Sequence, residues 1–269
     1  MAYCMLNNGV KMPLIGFGTW KLAGDAGLHA IRTAIVSGYR LLDTAQMYEN
    51  EEIVGQAVKE SGVRRENIFI TTKLYSPSTS YDKAKYDIRK SLQRLQTPYI
   101  DLLLIHEPYA EAPDMYKAME EVYDAGVVRA IGVSNFNVRQ YTEFLEHCRI
   151  IPAVNQVECH VYYPRKALRG VLGAHGTILQ AWSPLAAGKN NIFTDPVLTR
   201  IGKKYGKSPA QVALKYLLNQ GIPIVVKSAH RKRMEENRDL DNFYFDESDE
   251  KALAALGANG NSLFGWYEE

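Results

Sequence analysis

Eight short aliphatic runs, each parted from the next by a segment of helical periodicity, constrain this chain more than any other feature. They are LIGFG (14–18), LLD (41–43), IFITTK (68–73), IDLLLIH (100–106), AIGVS (130–134), AVNQVE (153–158), ILQAW (178–182) and IPIVVK (222–227). Most are apolar and rich in β-branched residues, as strands buried on both faces must be. Strands of that kind pair in parallel and need a helical crossover between them. The intervening segments supply it: GLHAIRTAIVSG stops at Gly38, and YDKAKYDIRKSLQRL puts Ile88, Leu92 and Leu95 on one face. NEEIVGQAVKESG opens on an Asn50 cap and two acids and closes at Gly62, which suits the helix dipole and a glycine C-cap. In SPAQVALKYLLNQG, Pro209 follows Ser208 at a first helical position. Eight such units predict a closed (β/α)8 barrel. The rival is a doubly wound open sheet.

Two features sit outside the repeat. Asn8-Gly9 near the start predicts a β-hairpin with a two-residue loop. Strand tips recur every 22 to 33 residues as far as Trp182, but the next gap, to Lys227, is 45 residues and holds SPLAAGKNNIFTDPVLTRIGKKYGK. An extended loop after the seventh barrel strand is therefore expected, and loops of that length usually have a functional reason. No linker or low-complexity stretch divides residues 1–269, so one domain is expected. With a net charge of +2, 46% hydrophobic and 23% charged residues, the chain suits neither nucleic acid nor an anionic membrane as its main partner. Three scattered cysteines, no signal-peptide pattern and no long apolar run make a cytoplasmic protein the expectation.

In a barrel the C-terminal strand ends converge on one face, and that face hosts the chemistry. The tips here carry Asp43, Lys73, His106, Ser134 with Asn135, Asn155 with Gln156 and Glu158, Trp182 with Ser183, and Lys227 with Ser228. Strand ends often turn polar simply because they meet water. Asp, Lys and His on three successive tips are harder to explain that way, because a buried charge is costly unless paired. Asp43 and Lys73 are natural partners on neighbouring strands, and Tyr48 lies in the loop five residues past Asp43. A phenol gives up its proton reluctantly, with a pKa of ~10. A nearby ammonium lowers that value, which makes Tyr48 beside Lys73 a tuned general acid. Among 17 tyrosines Tyr48 would mean little without those neighbours.

The segments YRLLDTAQMYENEEIVG (39–55), LLLIHEP (102–108), IGVSNF (131–136), VNQVECH (154–160), AWSPL (181–185) and VVKSAHRKRMEEN (225–237) resemble the aldo-keto reductase superfamily, from about residue 5 to about residue 256. Among members the chain is most similar to the bacterial 2,5-diketo-gluconate reductase type. The resemblance implies an NADPH-dependent reductase of aldehydes and ketones. Tyr48 would be the proton donor, Lys73 would tune it, Asp43 would anchor Lys73, and His106 would aim a ring N–H at the carbonyl oxygen. The cofactor would cross the barrel mouth, near Thr19, Trp20, Asp43, Ser183 and Leu185. Ser134, Asn135 and Gln156 would hold its carboxamide, and Trp182 would stack on the nicotinamide ring. Lys227, Ser228 and Arg233 would meet the adenosine 2′-phosphate, favouring NADPH over NADH, with Glu236 and Asn237 at the adenine end. The helix opening in this segment adds a favourable anion site. The substrate would lie among Trp20, Tyr48, His106 and Glu107. No metal is implied, and a monomer is expected. The chain has no GxGxxG loop, which weighs against the open-sheet rival.

This chain also departs from the family pattern. Glu107 stands where many members carry Trp, and His230 where a small hydroxyl residue is frequent. The tail after Leu256 is short, which implies an open pocket, with Trp20, Tyr75, Tyr109, Phe264 and Trp266 as lining. Tail packing on the barrel accounts for Phe264 and Trp266 equally well. Two other functions fit parts of the pattern. A non-catalytic, cofactor-sensing regulatory barrel needs no complete Asp43, Tyr48, Lys73 and His106 set. A lyase using Lys73 as nucleophile needs a neutral lysine, which Asp43 opposes.

Overall fold

A computed structural model describes residues 2–258, 260 and 262–265. The chain opens on a hairpin of β1 (Tyr3–Met5) and β2 (Lys11–Pro13), paired antiparallel with Cys4 opposite Met12. Its turn spans Asn7, Asn8 and Gly9 rather than two residues. Gly9 N–H bonds to the Leu6 carbonyl at 2.9 Å, and Gly9 alone takes a positive φ of 83°. The tight two-residue turn expected from Asn8-Gly9 requires positive φ at both positions, and Asn8 does not adopt it.

There follow β3 (Ile15–Gly18), α1 (Gly24–Val36), β4 (Leu41–Asp43), α2 (Glu51–Glu60), β5 (Phe69–Leu74), α3 (Tyr81–Arg94), β6 (Leu102–Ile105), α4 (Ala112–Asp124), β7 (Ile131–Ser134), α5 (Val138–Leu145), β8 (Val154–Glu158), α6 (Lys166–Ala174), β9 (Ile178–Trp182), α7 (Pro196–Tyr205), α8 (Pro209–Asn219), β10 (Ile224–Val226), α9 (Arg231–Glu236) and α10 (Glu247–Leu256). β3 to β10 close in order into a parallel barrel, with β10 pairing both β9 and β3. The open-sheet rival is thereby excluded. The long segment after β9 is not bare loop: a kinked stretch over Ala186–Asn191, left-handed at Ala186, Ala187, Gly188, Asn190 and Asn191, leads into α7, which Asp195 caps through the Val197 and Leu198 amides. α7 packs with α8 and α10 over a separate apolar cluster that includes Ile192, Leu198, Ile201, Val212 and Leu253. Ser208 and Gln211 cap α8 reciprocally, with Pro209 at its first position.

Side-chain alternation along each strand decides what lines the barrel. Leu42, Ile70, Leu103, Ile131 and Leu179 face outward into the core shared with the helices. Leu41, Phe69, Leu102, Leu104, Ala130, Val154 and the half-buried Ile178 face inward and join Leu6 and Met12 of the hairpin in a floor that seals the bottom. Steps of two residues from those inward positions lead to Asp43, Lys73, His106, Ser134, Gln156, Gln180 and Trp182. The interior therefore grades from aliphatic at the hairpin end to polar at the mouth. Among the described residues no helix is long and apolar enough to cross a membrane.

Candidate active site

The buried centre of the mouth is an ion pair. Lys73 Nζ lies 2.6 Å from Asp43 Oδ1 and donates a further bond of 3.0 Å to the Thr44 carbonyl. Asp43 Oδ2 accepts from Gln156 Nε2 at 2.6 Å, so both carboxylate oxygens are satisfied. Tyr48, at the end of the 3-10 turn Gln46–Tyr48, stands over this pair with its ring centroid 5.1 Å from Lys73 Nζ. His106 meets Tyr48 edge-on at 5.7 Å between centroids, and Trp20 meets it from another side at 4.8 Å. Four residues drawn from four separate barrel units converge on one phenol.

Two amides, at Asn50 and Gln46, shape the loop that presents Tyr48. Asn50 heads α2, but its side chain makes no cap bond. It accepts from Thr44 Oγ1 at 2.6 Å and donates to the Thr19 and Leu22 carbonyls at 2.8 and 3.0 Å, stapling the loop after β4 to the loop after β3. A buried amide in reach of three loop partners satisfies more polar groups there than it would as a cap, which is why the expected cap does not form. Gln46 donates to Ser91 Oγ at 2.9 Å and accepts from Ser78 Oγ at 3.2 Å, tying the same turn to α3.

The electrostatics differ in balance from the expectation that Lys73 lowers the Tyr48 pKa. Burial raises it most, the Lys73 ammonium pulls it down by charge and hydrogen bonding, and Asp43 adds to the rise; the net is a pKa above the ordinary phenol value. Burial also opposes the Lys73 ammonium, but Asp43 and Tyr48 outweigh it and hold its pKa above that of a free lysine. Burial, reinforced by the Lys73 charge, drives His106 down to about 3, so its ring is neutral across the physiological range. Its Nδ1 is buried without a hydrogen-bond partner among the described residues.

The expected cofactor residues fall into two groups. At the inner rim, Ser134 Oγ donates to the Gln156 carbonyl at 2.7 Å, and Asn135 Nδ2 donates to the His106 carbonyl at 3.0 Å. Trp182 Nε1 donates to Asn135 Oδ1 at 2.7 Å, while the Phe264 ring packs edge-on against Trp182 at 5.1 Å. Asn135 and Ser183, just past β7 and β9, hold left-handed backbone at φ 66° and 48°. Such strain in non-glycine residues concentrates at functional sites. Thr19 is buried and bonds the Asp43 carbonyl at 3.0 Å, and Leu185 packs into the core. At the outer rim, Lys227, Arg233 and His230 are exposed, and Ser228 is buried. Arg231 pairs with Glu235 at 2.8 Å and Lys232 with Glu236 at 3.8 Å, whereas Lys227 and Arg233 form no ion pair among the described residues. Glu236 thus already faces a lysine. α9 has six residues, too short for the expected helix-end anion site, so side chains must carry any anion contact. Asn237 caps the C-terminus of α9 and is buried. Glu107 is half-buried beside His106, and its charge adds to the burial that holds the Tyr109 pKa above the ordinary phenol value. Trp266 lies outside the described residues.

Two further residues of this face went unassigned at the sequence level. Gln180 accepts from Gln156 Nε2 at 2.8 Å, and Glu158 accepts from Ser262 Oγ and Leu263 N–H at 2.5 and 2.8 Å. A glutamine in the body of an aliphatic strand was the available signal for the first.

A closed parallel barrel with a Tyr–Lys–Asp–His constellation at its C-terminal mouth defines a barrel oxidoreductase. A sequence model of the Aldo/keto reductase family matches residues 14–258, and the chain belongs to that family. It is 42% identical over 253 residues to glyoxal reductase of Bacillus subtilis (strain 168), covering 93% of this chain and 91% of that one. Its fold is similar to that of MGS-M4, an aldo-keto reductase enzyme from a Medee basin deep-sea metagenome library, with a TM-score of 0.95, 36% identity and coverage of 99% and 98%. A Bombyx mori aldo-keto reductase in complex with NADP matches with a TM-score of 0.90, 31% identity and coverage of 97% and 94%.

Proposed function

We propose that this chain reduces small aldehydes and ketones to alcohols with NADPH, Tyr48 giving the proton. The observation that carries the reading is the seat of Tyr48, between the buried Lys73–Asp43 pair and the neutral His106. Similarity to the Bacillus subtilis glyoxal reductase supports small carbonyl substrates, and similarity to the NADP-bound Bombyx mori enzyme supports the cofactor.

The chain's own residues fit that cofactor. Gln156 commits both N–H groups inside the protein, and its oxygen accepts no hydrogen bond among the described residues, leaving it for a carboxamide N–H. Lys227 and Arg233, exposed and unpaired where their neighbours are paired, suit a 2′-phosphate. Trp182 offers an aromatic wall beside Asn135. When bound, the nicotinamide supplies the hydride that no side chain can provide.

The remaining chemistry belongs to the protein. A substrate carbonyl oxygen set between Tyr48 and His106 accepts hydrogen bonds from the phenol and from the neutral imidazole. As the carbonyl carbon is reduced, charge grows on that oxygen and the Tyr48 proton moves to it. The phenolate left behind faces the Lys73 ammonium, which Asp43 keeps charged, and is reprotonated from solvent. Burial keeps Tyr48 protonated until that moment, and Lys73 lowers the cost of losing the proton.

The test follows NADPH absorbance with glyoxal and simple aldehydes, in the wild-type protein and in Tyr48→Phe. The expected result is oxidation by the wild type, its loss in the variant, and unchanged NADPH binding in both. Full turnover by Tyr48→Phe would falsify the assignment. Tight NADPH binding by the wild type with no oxidation of any carbonyl would favour a cofactor sensor.

A further inference from the structure

We propose that Gln180 is a positioning residue: by taking the second N–H of Gln156 it locks that amide with its nitrogen on Asp43 and its oxygen open to the cofactor. The inference deepens the NADPH-dependent reading above and rests on it for the identity of the ligand.

Amide orientation is the central question, and here chemistry decides it. Asp43 Oδ2 is a carboxylate oxygen and only accepts, so the Gln156 atom 2.6 Å away must be nitrogen. That leaves one N–H of Gln156 to place in a buried environment. Gln180 Oε1, 2.8 Å from the same nitrogen, receives it. Gln180 in turn cannot be reversed, since its own nitrogen would then oppose the Gln156 N–H. Its Nε2 instead lies 3.8 Å from the Met12 sulfur, in the floor formed by the hairpin. Gln156 and Gln180 are paired neighbours in the β8–β9 register, and both are buried. A continuous chain therefore runs from the barrel floor through Gln180, Gln156 and Asp43 to Lys73 beneath Tyr48.

The lock has two consequences. Asp43 is held by Gln156 on one oxygen so that the other faces Lys73. Gln156, with both donors spent, has only its carbonyl oxygen to offer a ligand. A carboxamide meeting it must present an N–H, which fixes which way that group lies. Without Gln180 the second N–H is orphaned in a buried site, and the amide gains by turning away from Asp43.

Two variants separate positioning from bulk. Gln180→Leu keeps the volume and removes the acceptor. Gln180→Glu keeps an acceptor in either protonation state. The expected result is NADPH binding weakened about tenfold in Gln180→Leu, the size of effect an orphaned buried donor produces. In Gln180→Glu, binding is expected within about twofold of wild type. A second measurement needs no variant: in wild-type protein labelled with ¹⁵N-glutamine and free of cofactor, both side-chain amide protons of Gln156 should exchange slowly with solvent. Rapid exchange of either proton, or NADPH binding by folded Gln180→Leu as tight as in wild type, would overturn the proposal. Slow exchange in a wild-type protein that does not bind NADPH would sink the functional reading while upholding the lock.

Discussion

Lys73 and Asp43 form an ion pair of 2.6 Å in which neither side chain is more than 4% exposed. Removing one partner from such a pair leaves an uncompensated charge in a medium that solvates it poorly. Asp43→Asn preserves shape but strips the countercharge from Lys73 and replaces one acceptor oxygen with a donor, which then opposes Lys73 or Gln156. The expected destabilisation is about 3 kcal/mol, measured by urea unfolding at neutral pH. Carbonyl reduction should fall by roughly a hundredfold or more, since the ammonium no longer assists the phenol. NADPH-dependent turnover close to wild type in Asp43→Asn would contradict the role given to the pair.

His106 makes a second prediction through its protonation. Its pKa falls from an ordinary 6.5 to about 3 on folding. A depressed pKa means that the unfolded chain binds a proton more readily than the folded one. The stability this group contributes is therefore complete above pH 6.5 and lost as pH falls toward about 3. His106→Gln carries no titrating ring and should lose less stability than wild type across that window. Urea unfolding of both proteins at stepped pH measures the difference. Parallel curves would show that the imidazole is not held neutral. In the proposed mechanism the same neutrality makes His106 a hydrogen-bond donor to the carbonyl oxygen and leaves the proton to Tyr48.

The barrel was legible because alternation and burial act locally. LLD and ILQAW become β4 and β9 with the boundaries read from the sequence, and other strands shift by only one or two residues. The polar tips at the mouth followed from the same logic, since inward positions two residues apart run from Leu41 to Asp43 and, through Thr71, from Phe69 to Lys73. The unread parts are tertiary choices. Asn50 was a cap by local rules, but three loop partners compete for its amide and win. The segment after β9 looked like loop because its helix buries apolar residues against α8 and α10, which lie later in the chain. Gln180 finds its partner on another strand, and pairings across a barrel are invisible in one linear sequence.

The proposed preference for NADPH over NADH rests on the two outer cations. Lys227 and Arg233 are exposed and unpaired among the described residues, so their charges are available to a phosphate. Charge-assisted bonds of this kind contribute about 1.5–3 kcal/mol each. Arg233→Ala should therefore weaken NADPH binding by about tenfold or more while leaving NADH nearly unchanged. Raising the salt concentration should narrow the wild-type preference in the same direction, because exposed charges are screened. Equal losses for both cofactors in Arg233→Ala would place the 2′-phosphate elsewhere.

The C-terminal tail supplies the last prediction. Burial opposes the Glu158 carboxylate, but His160, Ser262 and the Leu263 amide outweigh that cost and hold its pKa below the ordinary range. Glu158 thereby fastens the tail to the tip of β8, while Lys189, from the segment after β9, grips the same stretch through the Leu263 carbonyl and the Phe264 ring. Phe264 then rests on Trp182, the proposed nicotinamide wall. Glu158→Ala removes both acceptors at once. The Leu263 amide should then exchange with solvent much faster than in wild type, and the tail should become the first site of proteolytic cleavage. Because the barrel strands keep their own bonds, amides in β5 and β6 should exchange as before. The depressed pKa sets the sign for pH: the anchoring is complete above the ordinary glutamate pKa and is lost as pH falls through the lower folded value. Protection of Leu263 that persists in Glu158→Ala would mean that Lys189 alone holds the tail in place.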